Sequence, residues 1–129
     1  MAQFKIYGTR AHLHAVRERL SDIIHEAAMT VLGLPEDKRF HRFIALEPDD
    51  FVHPPDHGPG YTILEISMFE GRSAETKKAL LHRLMADIAA GLDLAPNDIE
   101  ITIFETPRAN WGIRGKTGDE LPLTYRVEV

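Results

Sequence analysis

The sequence predicts an α+β fold: duplicated β-α-β units forming one four-stranded sheet, with two helices on one face. Two observations carry this. Residues 29–37, followed by Phe43-Ile44-Ala45-Leu46-Glu47, are echoed by residues 90–98, followed by Ile101-Thr102-Ile103-Phe104-Glu105. Each copy turns through Pro-x-Asp, and the period is roughly sixty residues. A strand, a crossover helix and a second strand in parallel must be wound right-handed, which places both helices on the same side of the shared sheet. The 129 residues read as a single domain, 1–129, built from pseudo-repeats at about 1–48 and 61–129.

Taken in order, Phe4, Ile6 and Tyr7 make a short first strand, which Gly8-Thr9 breaks. A long helix begins near Arg10, because Leu13, Val16, Leu20, Ile23, Ile24, Ala27, Val31 and Leu32 fall on one stripe at helical spacing. Gly33 and Pro35 end it, and a second strand covers about 40–46. The stretch 47–60, rich in proline, glycine and Asp, is an irregular excursion with a small ribbon expected at Phe51-Val52-His53. A third strand follows over 61–69. Ser73 caps the second helix, Glu75 sits in its first turn, and Leu80, Leu81, Leu84, Ile88 and Leu92 form its apolar face. The alternating Ile99, Ile101 and Ile103 mark the fourth strand, 99–105. A glycine-rich stretch from Trp111 to Gly118 then leads to a last short strand expected over 125–129.

The third strand carries Tyr61, Ile63 and Phe69 on one side and Leu64, Ile66 and Met68 on the other, so both sheet faces are expected to be substantially apolar. With helices on one face only, the other is expected to be a subunit interface. The alternative is a monomer whose tail folds over that face.

Composition narrows the function. Fifteen Lys and Arg against twenty Asp and Glu give a net charge of −5 with no cationic block, so nucleic acid and anionic membranes are not expected partners. The start Met1-Ala2-Gln3-Phe4-Lys5 lacks a secretion signal, and no apolar run reaches the roughly twenty residues of a membrane span. The expected location is cytoplasmic. Without cysteine, thiol chemistry and Cys-ligated zinc are excluded.

Phe69-Glu70-Gly71-Arg72-Ser73 sets an arginine where a strand meets a helix N-terminus, a place that favours anions, and a guanidinium grips a carboxylate bidentately. A surface ion pair is the plainer reading of Arg72. Trp111, the single tryptophan, either anchors the tail to a neighbouring subunit or walls a pocket beside Arg114. Among the seven histidines, His12, His14, His25 and His82 read as solvated helix residues. The prolines in His53-Pro54-Pro55-Asp56-His57 argue against a metal site, and only His41 lies where a site is plausible. No nucleophile elbow, phosphate loop or dinucleotide fingerprint is present, so no cofactor is expected.

The segment 66–73, the helix after it, Ala95-Pro96 and Trp111-Gly112-Ile113-Arg114-Gly115 resemble the tautomerase superfamily, small proteins related to 4-oxalocrotonate tautomerase. The doubled length is similar to the malonate semialdehyde decarboxylase branch, whose members are homotrimers. The resemblance implies proton transfer on a small oxo acid by an amino-terminal proline amine, with arginines holding a carboxylate-bearing substrate. Arg72 and Trp111 match by position, and Arg114 lies in a similar segment. Arg39 and Arg42 are looser candidates for a second carboxylate clamp. The chain departs from the pattern where it begins Met1-Ala2-Gln3, with no proline before Pro35. Glu70 stands in place of a second arginine and Lys38 in place of an aspartate. The implied catalytic position falls on or near Ala2, whose amine is free only if Met1 is removed, with His41 as a weaker substitute base. A relative that binds a small anion or a protein without catalysis is the competing expectation.

Overall fold

The computed structural model describes residues 1–129. Strand β1 (Ala2–Thr9) runs into helix α1 (Arg10–Leu32), which returns the chain to β2 (His41–Leu46). The second unit repeats this as β3 (Thr62–Phe69), α2 (Ala74–Leu92) and β4 (Ile99–Thr106). The sheet order is β2-β1-β3-β4. β1 pairs in parallel with β2, β3 pairs in parallel with β4, and the two units join through the antiparallel β1–β3 pair. No helix is long and apolar enough to cross a membrane.

Helix α2 starts at the Ser73 cap expected from the sequence, and α1 has a cap of the same kind at Thr9. Thr9 Oγ1 accepts from the His12 N–H, and Ser73 Oγ accepts from the Thr76 N–H at 3.1 Å, each satisfying a first-turn donor that lacks a partner within the helix. Gly33 ends α1 with φ at 69°, a left-handed conformation that costs glycine almost nothing.

One face of the sheet and the inner stripes of both helices close the core. Phe4 and Ile6 from β1 and Leu64, Ile66 and Met68 from β3 meet Leu13, Leu20 and Ile24 from α1 and Leu80, Leu84 and Ile88 from α2. Their burial supplies the dominant favourable term, about 1.5–3 kcal/mol for each large side chain. His25 belongs to this core. Expected to be solvated, it is buried at the foot of α1, where its Nε2 meets the Glu36 carbonyl at 2.8 Å.

Three other expectations change. Phe51-Val52-His53 forms no ribbon: a 3-10 turn at Pro48–Asp50 precedes it, and the segment is held by Phe51 and His57 stacking on Tyr61 at 5.3 and 3.9 Å. Residues 125–129 form no strand. The pairing in the tail is instead a small hairpin of β5 (Gly112–Ile113) and β6 (Lys116–Thr117), whose two-residue loop puts Arg114 at φ 51° and Gly115 at φ 79°. Both left-handed angles suit the twist of a tight hairpin. Finally, the helix-free face is more polar than expected, because Glu65 and Ser67 stand between Ile63 and Phe69 on it. The Tyr7 hydroxyl donates to Glu65 at 2.7 Å, and Lys5 lies 3.8 Å from the same carboxylate. The tail covers one corner of that face, where Trp111 meets the Phe69 ring edge-on at 5.2 Å and the Arg108 guanidinium lies over the same ring.

Candidate active site

The start of β1 lies against the end of β3, since Ala2 pairs with Met68 and the Phe69 N–H donates to the Met1 carbonyl at 3.4 Å. Beyond Phe69 the chain turns through Gly71 into Arg72 and the capped start of α2. The last residues fold back across this junction, with the Ser73 N–H donating to the Val129 carbonyl at 2.9 Å and Val127 buried beside Gly71. That return path brings Tyr125 onto the amino terminus, and the Met1 amine donates to its hydroxyl.

Arg72 is 5% exposed, and one guanidinium nitrogen donates to the Phe69 carbonyl at 3.2 Å. Its Nε and Nη2 are buried without a partner. Such donors normally find an acceptor, and the Tyr125 hydroxyl lies near enough to act on Arg72 as one. Burial pushes the Arg72 pKa down, while Tyr125, Glu105 and Glu128 act to raise it. Arg108 is structural: its guanidinium donates to the Gly118 carbonyl at 3.1 and 3.0 Å and to the Leu121 carbonyl at 3.2 Å, fastening the tail.

The amine pays electrostatically for this position. Burial, followed by the positive charges of Arg72 and Arg108, lowers the Met1 amine from 8.0 to about 5. It is therefore neutral at pH 7, with its lone pair available. Tyr125 shifts the other way: burial raises its phenol, against the opposing pull of Arg72, Arg108 and Arg114.

Beside the amine opens a cavity of about 110 Å³. Its walls come from Met1, Ala2, Leu34, Lys38, Phe40, Arg114 and residues 121–125. Phe40, 39% exposed, is among the few large apolar side chains left in contact with solvent. The floor is apolar, with Lys38 and Arg114 supplying positive charge, a fit for a small organic acid.

The residues singled out in the sequence divide accordingly. Ala2, Arg72 and Arg114 gather at this end of the sheet. Trp111 does not line the cavity; its Nε1 donates to Thr106 Oγ1 at 2.7 Å and the ring pins the hairpin to Phe69. Arg39 is held on α1 by Asp22 at 2.6 Å, and Arg42 reaches Gln3 at 3.4 Å. Neither turns toward the amine as a second clamp. His41 packs on Phe4 at 5.2 Å, with Nδ1 2.7 Å from Ser21 Oγ. Burial first, then Arg39 and His25, push it down to about 4. It lines a shallow groove with Gln3, Arg39, Phe40 and Arg42, next to the cavity. Sequence reasoning missed Tyr125, Arg108 and Phe40. Tyr125 carried one usable signal, as the only aromatic residue in 121–129.

Comparison with known proteins supports the same reading of the fold. Residues 38–114 match the family model described as tautomerase enzyme. The chain belongs to the tautomerase family. It is 33% identical over 57 residues to a 2-hydroxymuconate tautomerase of Comamonas testosteroni, an alignment covering 44% of this chain and 90% of that one. Among solved structures, malonate semialdehyde decarboxylase superposes with a TM-score of 0.78 at 19% identity, over 88% of this chain and 92% of the other. A fused 4-OT solved as an asymmetric trimer superposes with a TM-score of 0.79 at 20% identity, over 91% and 96% of the two chains.

Proposed function

We propose that this chain is a cofactor-independent tautomerase of a small enol or oxo acid, with the amine at the head of β1 as the base and Arg72 holding the carboxylate. The observation that carries the reading is an amine lowered to about 5 that lines the cavity together with Lys38 and Arg114, while the buried Arg72 guanidinium, outside that lining, lies near enough to help lower it. In the enol-to-ketone direction the hydroxyl gives up its proton and the amine, charged as an ammonium, delivers a proton to carbon, returning to its neutral form. Because proton transfer within one substrate leaves its oxidation state unchanged, the step calls for no redox cofactor. A decarboxylase role would ask for a charged amine at neutral pH, and the lowered pKa favours the base instead.

The assembly proposed is a homotrimer in the cytoplasm. The fused 4-OT relative is described as a trimer, and Phe104 is 48% exposed on the helix-free face of β4. A second reading, a non-catalytic binder of a small anion, is favoured by one observation: residues 1–34 contain no proline, the residue that the family resemblance implies as the base.

The test is ultraviolet-monitored ketonisation of 2-hydroxymuconate and phenylenolpyruvate by protein whose amino terminus has been determined by intact mass. Turnover that falls at least about 10-fold in Arg72→Ala supports the tautomerase. No turnover of either substrate, together with anion binding that needs Arg72, would establish the binder instead.

A further inference from the structure

The tail delivers a phenol to the amine, and the reading above leaves that phenol without work. Tyr125 is 124 residues away from Met1 in sequence, yet its hydroxyl oxygen accepts the amine's hydrogen bond. Long-range ties keep it there. The Ser73–Val129 backbone bond at 2.9 Å, buried Val127 and Leu121, and the three Arg108 bonds to tail carbonyls fix the segment on either side. Tyr125 also lines the cavity in which the substrate is proposed to sit. A hydroxyl has one donor and two acceptor sites. With the amine occupying an acceptor site, the Tyr125 O–H is left free to donate into the cavity.

We propose that Tyr125 is a catalytic residue, the general acid that works opposite the amine on the substrate oxygen, and that the amine–phenol contact closes a proton circuit between them. The inference rests on the tautomerase reading. In the ketone-to-enol direction the amine nitrogen takes the proton from the carbon next to the carbonyl. The C–H electron pair becomes the new C=C bond, the carbonyl π pair moves to oxygen, and Tyr125 gives its proton to that oxygen. An ammonium and a phenolate remain. They are already in contact, so one proton passes from nitrogen to the phenolate oxygen and both groups return to their starting forms. The substrate has been isomerised and nothing else is consumed.

The electrostatics agree with this assignment. Arg72, Arg108 and Arg114 all favour the transient phenolate, while burial keeps the phenol protonated between turnovers. A phenol with a raised pKa is also close in acidity to an enol, the match that efficient proton transfer asks for. Its partner is not the water-exposed amine of an ordinary chain end but one held neutral by burial first and then by Arg72 and Arg108.

Tyr125→Phe keeps the ring and removes only the hydroxyl. With the better of the two enol substrates, kcat is expected to fall by about 10²-fold or more, and KM to change by less than roughly threefold. Replacing Tyr125 alone with 2,3,5-trifluorotyrosine keeps the hydroxyl but makes it far more acidic. This variant is expected to lose activity as pH rises through neutrality, an alkaline limb the unmodified protein lacks there. Wild-type kcat in Tyr125→Phe, or a fluorinated protein without the new limb, would overturn the assignment while leaving the amine base standing. An unmodified protein that turns over neither substrate would overturn the tautomerase reading, and this role with it.

Discussion

Arg72 and Arg114 show how much chemistry a single position can hold. Arg72 is buried with two donors lacking a close partner, an arrangement that is costly unless an acceptor completes it. Substituting alanine is expected to raise KM about 10- to 100-fold, the size of one charge-assisted interaction of about 1.5–3 kcal/mol. It also removes a positive charge that lowers the amine, so the acid limb of the rate profile should move to higher pH; steady-state kinetics between pH 4 and 9 reads both effects. Arg114 holds a left-handed backbone in the hairpin loop, at a cost of about 1 kcal/mol or more for a residue that is not glycine. Arg114→Gly should therefore stabilise the fold by up to about 1 kcal/mol in urea unfolding, while weakening carboxylate binding at the cavity rim where Arg114 stands. At this scale the sequence was readable where local context marks a residue. Arg72 could be found because it follows a strand and precedes a helix cap. Tyr125 could not, since its partner is the other end of the chain and no local pattern encodes that distance.

The elements were the most legible part of the molecule. Each helix is written in its apolar stripe, and α2 also in its Ser73 cap and α1 in its Gly33 end, while the Thr9 cap of α1 came from the structure. Removing the second cap with Ser73→Ala should cost about 1 kcal/mol. Gly33→Ala should cost a similar amount through its φ of 69° alone, because nothing stands within 4 Å of the added methyl. Thermal unfolding, with each shift expected near 3–5 °C for a chain of this size, checks both. The hairpin β5–β6 and the strandless end were harder to read. Two-residue strands carry no periodicity, and the loop at Arg114-Gly115 has only half of the Asn-Gly signature that would announce it. Alternating apolar residues near 125–129 looked like a strand, but no sheet edge is offered to them, and they settle instead as a strap over the head of β1.

Across the whole molecule, three amino or imidazole groups are held below their ordinary pKa values. The Met1 amine lies at about 5, His41 at about 4, and His12 is shifted down by burial. In the unfolded chain these groups take up protons nearer pH 8 for the amine and 6.5 for the histidines, so the unfolded state binds more protons between those values and the folded ones. Their contribution to stability is complete above pH 8 and is lost as pH falls toward 4. Urea midpoints measured from pH 8 down to pH 4 should decrease steadily, with no maximum near the isoelectric point. The duplicated architecture was legible from the repeat alone, but the character of the open face was not: Tyr7, Lys5 and Glu65 satisfy one another across strands, a pairing visible only once the register is known. Sedimentation of the protein at micromolar concentration, expected to give a trimer, tests the assembly proposed for that face.

The most direct test compares protein with a free amino terminus to the same protein carrying one added residue before Met1, following kcat/KM for ketonisation from pH 4 to 9. A free terminus should show activity rising through about pH 5 to a plateau, and the extended protein should lose about 10²-fold or more, because its amine no longer lies between Tyr125 and the arginines. Equal rates in the two proteins, or an acid limb that stays near pH 5 after the extension, would contradict the amine as the base.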